Sequence, residues 1–507
     1  MFTLQDYKST PDTIQQYDEE KQNLPIIIDN GSFQCRAGWA TSKNPELIYK
    51  NVMAKNRANR KERDWDIQVG NEIADIEAVR WMVRSPYDFN VVVNFSAQET
   101  LLDYAFKHLG INTNDSVTHP IVITEPIANP SYCQKNMSEL LFEAYSIPKV
   151  AFGIDCLFSY NNNCLGEDND STALIVSCGF QSTHVLPVID RQPDIKNALR
   201  LNLGGYNCTA YLQWLLQYRH PQHVGEFTLN RMENLVHQLG KVAPNYSELV
   251  NQWTDSVFSA QHITEVSFTP RATNLAPRPG YMQSSYLALE KKLKQTEYKL
   301  YEVECVMDIE QENPEGAAKG CLDVGCDDME ELKLHAEGLQ SEIDNIQSEL
   351  DEEYRNESTV KQKNNMFKLG IEKFQSPEII FQPSLVGYDQ CGLSECIETV
   401  LQRYDATVQE RLANNVFITG GNSKLNGFIE RVSVDLRKIR PHTAPVCVKH
   451  ASKPSLDAWK GAAKWANSDQ CQSYFISKSD YEEFGAQYYK QHSFSNRWVD
   501  PTLNASK

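Results

Sequence analysis

Short β-branched runs that stop at glycine or proline recur along this chain. Residues 24–32, LPIIIDNGS, stay apolar through Ile28 and then turn polar at Asp29, Asn30, Gly31 and Ser32. That pattern predicts a buried strand running into a tight turn, with residues 33–40 as the returning strand of a hairpin. Residues 120–126, PIVITEP, predict a second buried strand closed by proline, and residues 150–154 and 172–177 predict two more. Residues 94–109 place Phe95, Leu101, Leu102, Ala105, Phe106 and Leu109 at helical spacing. Ser96 is the expected cap there, with Glu99 completing a capping box. Near the other end, residues 415–422, NVFITGGN, again read as a strand entering a glycine turn, and residues 458–463, AWKGAA, as a turn entering a helix. Strands alternating with helices predict an α/β architecture.

The periodicity changes between residues 283 and 366. Tyr286, Leu289, Leu293, Thr296, Leu300, Val303 and Met307 follow alternating steps of three and four. Met329, Leu332, Ala336, Leu339, Ile343, Ile346 and Leu350 do the same. Each run covers about three heptads, with charges in the other positions. An acidic connector bearing glycine and proline joins them and holds Asp323, Asp327, Asp328, Glu330 and Glu331 at its end. The expectation is an antiparallel coiled-coil hairpin inserted in the α/β body. The alternative is a pair of amphipathic helices packed on that body, but the narrow stripe favours a projecting coil.

Polarity marks the start of the chain, residues 1–23, as a flexible leader. It lacks the apolar core of a signal peptide, and no run approaches the ~20 apolar residues of a membrane span. A chain of 507 residues is too long for one core, so more than one domain is expected. The net charge of -18 disfavours indiscriminate nucleic-acid binding and suits basic partners such as histones. One stretch departs from it. Residues 50–63, KNVMAKNRANRKER, set Lys55, Arg57, Arg60, Lys61 and Arg63 close together. They read as a solvated surface loop, a patch for DNA phosphates, or a nuclear-import signal. The 13 cysteines have no framework spacing, which predicts reduced thiols. Cys321 and Cys326 have no partner ligands at zinc-site spacing, so no metal is expected there.

Three strand-to-glycine turns carry the candidate chemistry: 29–32, 177–180 and 419–422. Glycine lets a backbone approach a phosphate, and the free amides of such turns favour anions. In this order and with these flanks, the turns resemble the actin family. LPIIIDNGSFQCRAGWA is similar to the family's first phosphate loop. ITEPIANP, FEAYSIPKV, FQSPEIIFQPSLVG, FITGGNSKLNGFIERV, LDAWKGAAKWA and SKSDYEEFGAQYY are similar to further family segments, in order, over most of residues 24–490. The resemblance implies two α/β halves around a nucleotide cleft. Subdomains 1 and 2 would span 24–162, subdomain 3 would start and subdomain 4 lie in 163–282, the rest of subdomain 3 would be 367–454, and 455–507 would return to subdomain 1. Asp29, Gly31, Ser32, Arg36, Gly179, Gly205, Gly420 and Gly421 are the residues it implies for holding a nucleotide.

Departures from the family pattern bear on catalysis. Ser177 and Phe180 stand where the family's second loop carries acids around magnesium. Phe33 replaces a glycine of the first loop, and Asp155 matches the hinge glutamine that positions water. Lys424, Leu425 and Ser455 stand at the base-clamping positions. The expectation is no catalysis and no bound metal, with ATP at most a structural ligand. The words DNGSFQCRAGW, SCGFQSTHVLP and LNLGGYN and the long charged insertion resemble a nuclear branch of the family. That branch implies a nuclear subunit of an INO-eighty-type chromatin-remodelling complex, acting in transcription regulation and DNA repair. Its implied partners are the motor ATPase, a small Ies-six-type subunit and the nucleosome, through histones and DNA, with no filament. The competing expectation is an actin-like ATPase with a cytoskeletal or chaperone-like cycle.

Overall fold

A computed structural model describes residues 2–57, 65–80, 82–113, 117–164, 171–270, 284–309, 321 and 324–485. The chain forms two units, one of Leu4–Thr264 with Leu369–Lys507 and one of Met1–Thr3 with Glu265–Lys368.

The larger unit is built on two sheets. In the first, the strands run in the order Ile476–Ser477, Lys149–Ile154, Ile121–Glu125, Ile26–Asn30, Gln34–Trp39, Leu47–Lys50. Ile26–Asn30, Ile121–Glu125 and Lys149–Ile154 are parallel neighbours, and Ile26–Asn30 turns back antiparallel into Gln34–Trp39. The apolar runs read from the sequence are these strands, and Ile26, Ile27 and Ile28 are fully buried. Helix Phe95–His108 covers one face through Leu101, Leu102, Ala105 and Phe106. Its cap is Asn94, whose side chain accepts from Ala97 N at 3.1 Å, and not Ser96, the residue expected from the capping-box spacing. Ser96 already lies inside the first turn.

In the second sheet the order is Gln192–Pro193, Thr183–Ile189, Ala173–Cys178, Val416–Thr419, Val448–His450, with Leu199–Leu201 paired to Thr183–Ile189. Ala173–Cys178 and Val416–Thr419 run parallel, pairing Ser177 with Thr419. The chain crosses between the sheets through helix Asp155–Cys164 and returns through helix Asp457–Ala466, and these two helices pack tightly on each other. Gly461 makes that approach possible, because a Cβ there would lie 1.9 Å from the Phe158 carbonyl oxygen. The buried Asp457 carboxylate locks the crossing by accepting from Asn162, Asn163, Ser452 and the Lys453 amide.

The leader, read from the sequence as flexible, lies along this unit: Asp6 pairs with Arg231, and Asp12 bonds Tyr104 and Asn71. Asp6 and Asp12 are spent on specific partners, whereas Gln5, Lys8, Thr13, Gln16 and Glu19 are exposed.

The smaller unit contains a three-stranded sheet, in the order Phe2–Leu4, Thr264–Phe268, Met366–Leu369, and two long helices, Ser284–Ile309 and Met329–Asn364. The helices pair antiparallel. Lys292 meets Glu342 at 2.9 Å, whereas Val303, further along the first helix, packs with Leu332 and Leu339, earlier on the second. Thr296, Val303, Leu332, Leu339, Ile343 and Ile346 are buried, which is the stripe the heptads predict. At the start of the second helix Asp328 accepts from the Glu330 and Glu331 amides. One acid of the connector is therefore a helix cap.

Candidate functional site

The carboxyl ends of the parallel strands in both sheets face one cleft, where open α/β folds place their ligands. Asp29 sits at the end of its strand, directly across the hairpin from Arg36. That register brings Arg36 Nη1 to 3.0 Å from Asp29 Oδ2, and both side chains are largely buried. Thr124 Oγ1 donates to the other Asp29 oxygen at 2.9 Å. Next to it, Asn30 bridges Gln98 and Asn51, and its carbonyl accepts from Tyr87. Asp155 begins the crossing helix and bonds the Cys156 amide at 2.6 Å. Burial, with the Asp29 carboxylate beside it, pushes Asp155 up to about 7.

The second sheet contributes the turn 178–183 and the turn after Val416–Thr419. Asn422 Nδ2 ties them by donating to the Gly179 carbonyl at 2.7 Å. Ser159 and Thr419 share a hydroxyl hydrogen bond of 2.7 Å at the hinge. His184 is buried, and burial with Arg200 nearby lowers it to about 3, so it is neutral. Its Nε2 and the Ser182 hydroxyl are buried and have no hydrogen-bond partner among the described residues.

Between the lobes lies a cavity of about 410 Å³, large enough for a small organic ligand. Asp29, Gly31, Ser32, Arg36, Gly179, Gly420 and Gly421 line it, all named from the sequence. Gly205 does not; it packs against Asn422, where a Cβ would come within 2.7 Å of the side-chain oxygen. Ser182, His184, His237 and Asn90 also line the cavity and were not expected. The only local signal was the alternation of SCGFQSTH, which assigns a face but not a depth.

The cavity suits an anionic organic ligand at one end. Lys424 reaches it and donates to Ser455 Oγ at 2.7 Å, and burial together with Arg36 lowers its pKa. Gly421 is open on its Cβ side, leaving its backbone accessible. At the other end the Phe33 and Phe180 rings lie 4.8 Å apart, joining the two hairpin turns by an aromatic contact. That end offers a magnesium ion few carboxylate oxygens. Magnesium is held by a nucleotide's phosphates, water and one or two carboxylates; of the two carboxylates lining the cavity, Asp29 and Asp155, both Asp29 oxygens already accept hydrogen bonds. Ser177 and Phe180 supply none, and among the described residues no three His, Cys, Asp or Glu side chains converge.

The basic stretch is only partly in view. Lys55 is exposed on strand Met53–Arg57, and Arg57 ends that strand. Arg60, Lys61 and Arg63 lie outside the described residues.

Comparison with known proteins gives this architecture its relatives. The family model described as actin matches residues 20–494. Actin-related protein 5 of Homo sapiens is 34% identical, with 98% of this chain and 94% of the relative covered. The Gallus gallus protein of the same name is 33% identical over 94% of this chain and 90% of its own length. The Drosophila melanogaster one is 27% identical over 93% and 98%. With two lobes, two glycine-turned hairpins and a cleft between them, the chain belongs to the actin family, and within it to the actin-related protein 5 group.

Proposed function

We propose that this chain is a non-catalytic, nuclear actin-related subunit of an ATP-dependent chromatin-remodelling complex of the INO-eighty type. In this reading it couples the motor ATPase to the nucleosome, with a small Ies-six-type subunit as its immediate partner, in transcription regulation and DNA repair. The observation that carries the non-catalytic part is the state of Asp29. Its carboxylate is closed by Arg36 and Thr124, and no second acid stands at Ser177 or Phe180. Phosphoryl transfer depends on a cation that neutralises developing charge, and the closed Asp29 with the single further carboxylate of Asp155 supports the reading that this cleft organises one poorly. ATP, if held, is then a structural ligand, with Lys424, Arg36, Ser32 and the 420–421 turn as the groups that would hold it.

The acidic residues at the start of the second long helix suit a basic histone surface. The test is a reconstituted complex lacking residues 283–366. Loss of nucleosome engagement with the complex still assembled supports the reading; unchanged binding and remodelling removes it.

One observation favours the competing reading, an actin-like ATPase. A carboxylate held near 7 and facing the cleft is a suitable general base. Steady phosphate release by the purified chain with magnesium, lost in Asp155→Asn, would put that reading first. Retention of intact ATP, or an empty cleft, would keep the non-catalytic one.

A further inference from the structure

Residues 4–22 touch both sides of the cleft. At the near end, Asp6 takes Arg231 through both oxygens, at 2.9 and 3.0 Å. Arg231 is only 1% exposed and also holds Glu226 at 2.5 Å. Asn230 donates to the Tyr7 carbonyl at 3.2 Å. Asn230 and Arg231 belong to helix Leu229–Leu239, whose C-terminal loop bridges at Lys241 to Asn426, after the second sheet's glycine turn.

The far end is fixed to the first lobe. Ser9 N donates to the Ala74 carbonyl, and Gln15 N to the His108 carbonyl. Asp12 accepts from Tyr104 at 2.7 Å and from Asn71 at 3.0 Å. Tyr17 shares a hydrogen bond with His119 at 3.2 Å. Gly110, at φ +80°, lies so close under this segment that a Cβ would sit 2.7 Å from the Gln15 carbonyl oxygen.

Between the two anchors the segment meets the cleft mouth. The Tyr7 ring lies 5.7 Å from Lys50 Nζ, and Lys50 pairs across the lobes with Glu233 at 3.1 Å. The same ammonium lies 5.4 Å from the Phe33 ring, which in turn meets Phe180 of the opposite turn. A row of contacts therefore runs from the N-terminal segment to the aromatic pair inside the cleft.

We propose that residues 4–22 form a strap that ties the two lobes together and holds the cleft closed whatever it contains. The chain then closes its cleft with its own N-terminal segment, where a ligand bridging the lobes would otherwise do so. This stands independently of whether the cleft hydrolyses or holds a nucleotide.

The test is hydrogen–deuterium exchange on the full chain and on Asp6→Ala. That substitution removes the ion pair of the near anchor and leaves the Asn230 bond to the Tyr7 carbonyl, while Arg231 keeps Glu226, so the helix retains its ion pair. The strap predicts exchange at least about tenfold faster in the cleft turns 30–34 and 179–182, with helix Leu393–Gln402 unchanged, as expected for a local opening. Asp12→Asn, which weakens the far anchor, should act on the same turns. Cleft turns that exchange at the wild-type rate in both variants overturn the proposal. So does an equal rise throughout the unit, which would make the segment a general stabiliser and not a strap.

Discussion

At the scale of single residues, Asp155 makes the sharpest statement. Its folded value of about 7 stands above the ordinary 3.8. Below pH 4 the folded and unfolded chains both hold this proton. Between about 4 and 7 the folded chain keeps a proton that the unfolded chain releases, so stability falls as pH rises. Asn in this position keeps the acceptor for the Cys156 amide and removes the buried charge. Asp155→Asn should therefore gain stability relative to wild type between pH 5 and pH 8, on the order of 2–4 kcal/mol. Urea unfolding at both pH values measures it; a difference between the two proteins that does not change with pH would contradict the assignment. The residues of the cleft were legible unequally. Asp29, Gly31 and Gly421 announce themselves because a strand ending in glycine is a local pattern. The closure of Asp29 by Arg36 is a matter of register across the hairpin. Ser182 and His184 come to line the cleft only through the assembly of the second sheet and its turns, and no local pattern encodes that.

At the scale of elements, two contacts carry different weights. The crossing helices approach through Gly461, and any side chain there must displace the Phe158 backbone. Gly461→Ala should cost about 2–3 kcal/mol, read from the urea midpoint, because the obstruction is backbone and cannot swing away. In the coiled-coil hairpin, Leu332 is fully buried whereas Lys292 and Glu342 are about half exposed. Leu332→Ala should cost about 2–4 kcal/mol. Lys292→Ala should cost less than about 0.5 kcal/mol. Far-UV circular dichroism of the full chain on heating separates the two. The heptads made this hairpin readable, since a repeat of apolar residues is a global instruction written locally. The cap of helix Phe95–His108 was less readable. Asn94 and Ser96 are both good caps, and the choice between them was made by where the chain enters from strand Val91–Val92.

At the scale of the whole molecule, the division into two units has its own expected outcome. Thr264–Phe268 and Met366–Leu369 are neighbouring strands, with Phe268 N bonded to the Asn365 carbonyl at 2.9 Å. The ends of the inserted segment are therefore close together. Replacing residues 265–368 with a short glycine–serine linker should leave Leu4–Thr264 and Leu369–Lys507 to unfold in one cooperative step by calorimetry. A broad or absent transition would show that the larger unit cannot stand without the smaller. The α/β character and the inserted hairpin were legible at this scale from periodicity alone. The N-terminal segment was not: its anchors are scattered charges and hydroxyls whose partners lie up to 225 residues away.

That distance also orders the birth of the protein. Phe2–Leu4 is synthesised long before its neighbour in the sheet, Thr264–Phe268. At synthesis rates of about 5–20 residues per second, the opening strand waits roughly 13–50 seconds for its template. Throughout that interval Phe2–Leu4 lacks its neighbour in the sheet and is open to a chaperone, while residues 9–17 can already seat on Ala74, Tyr104 and His108.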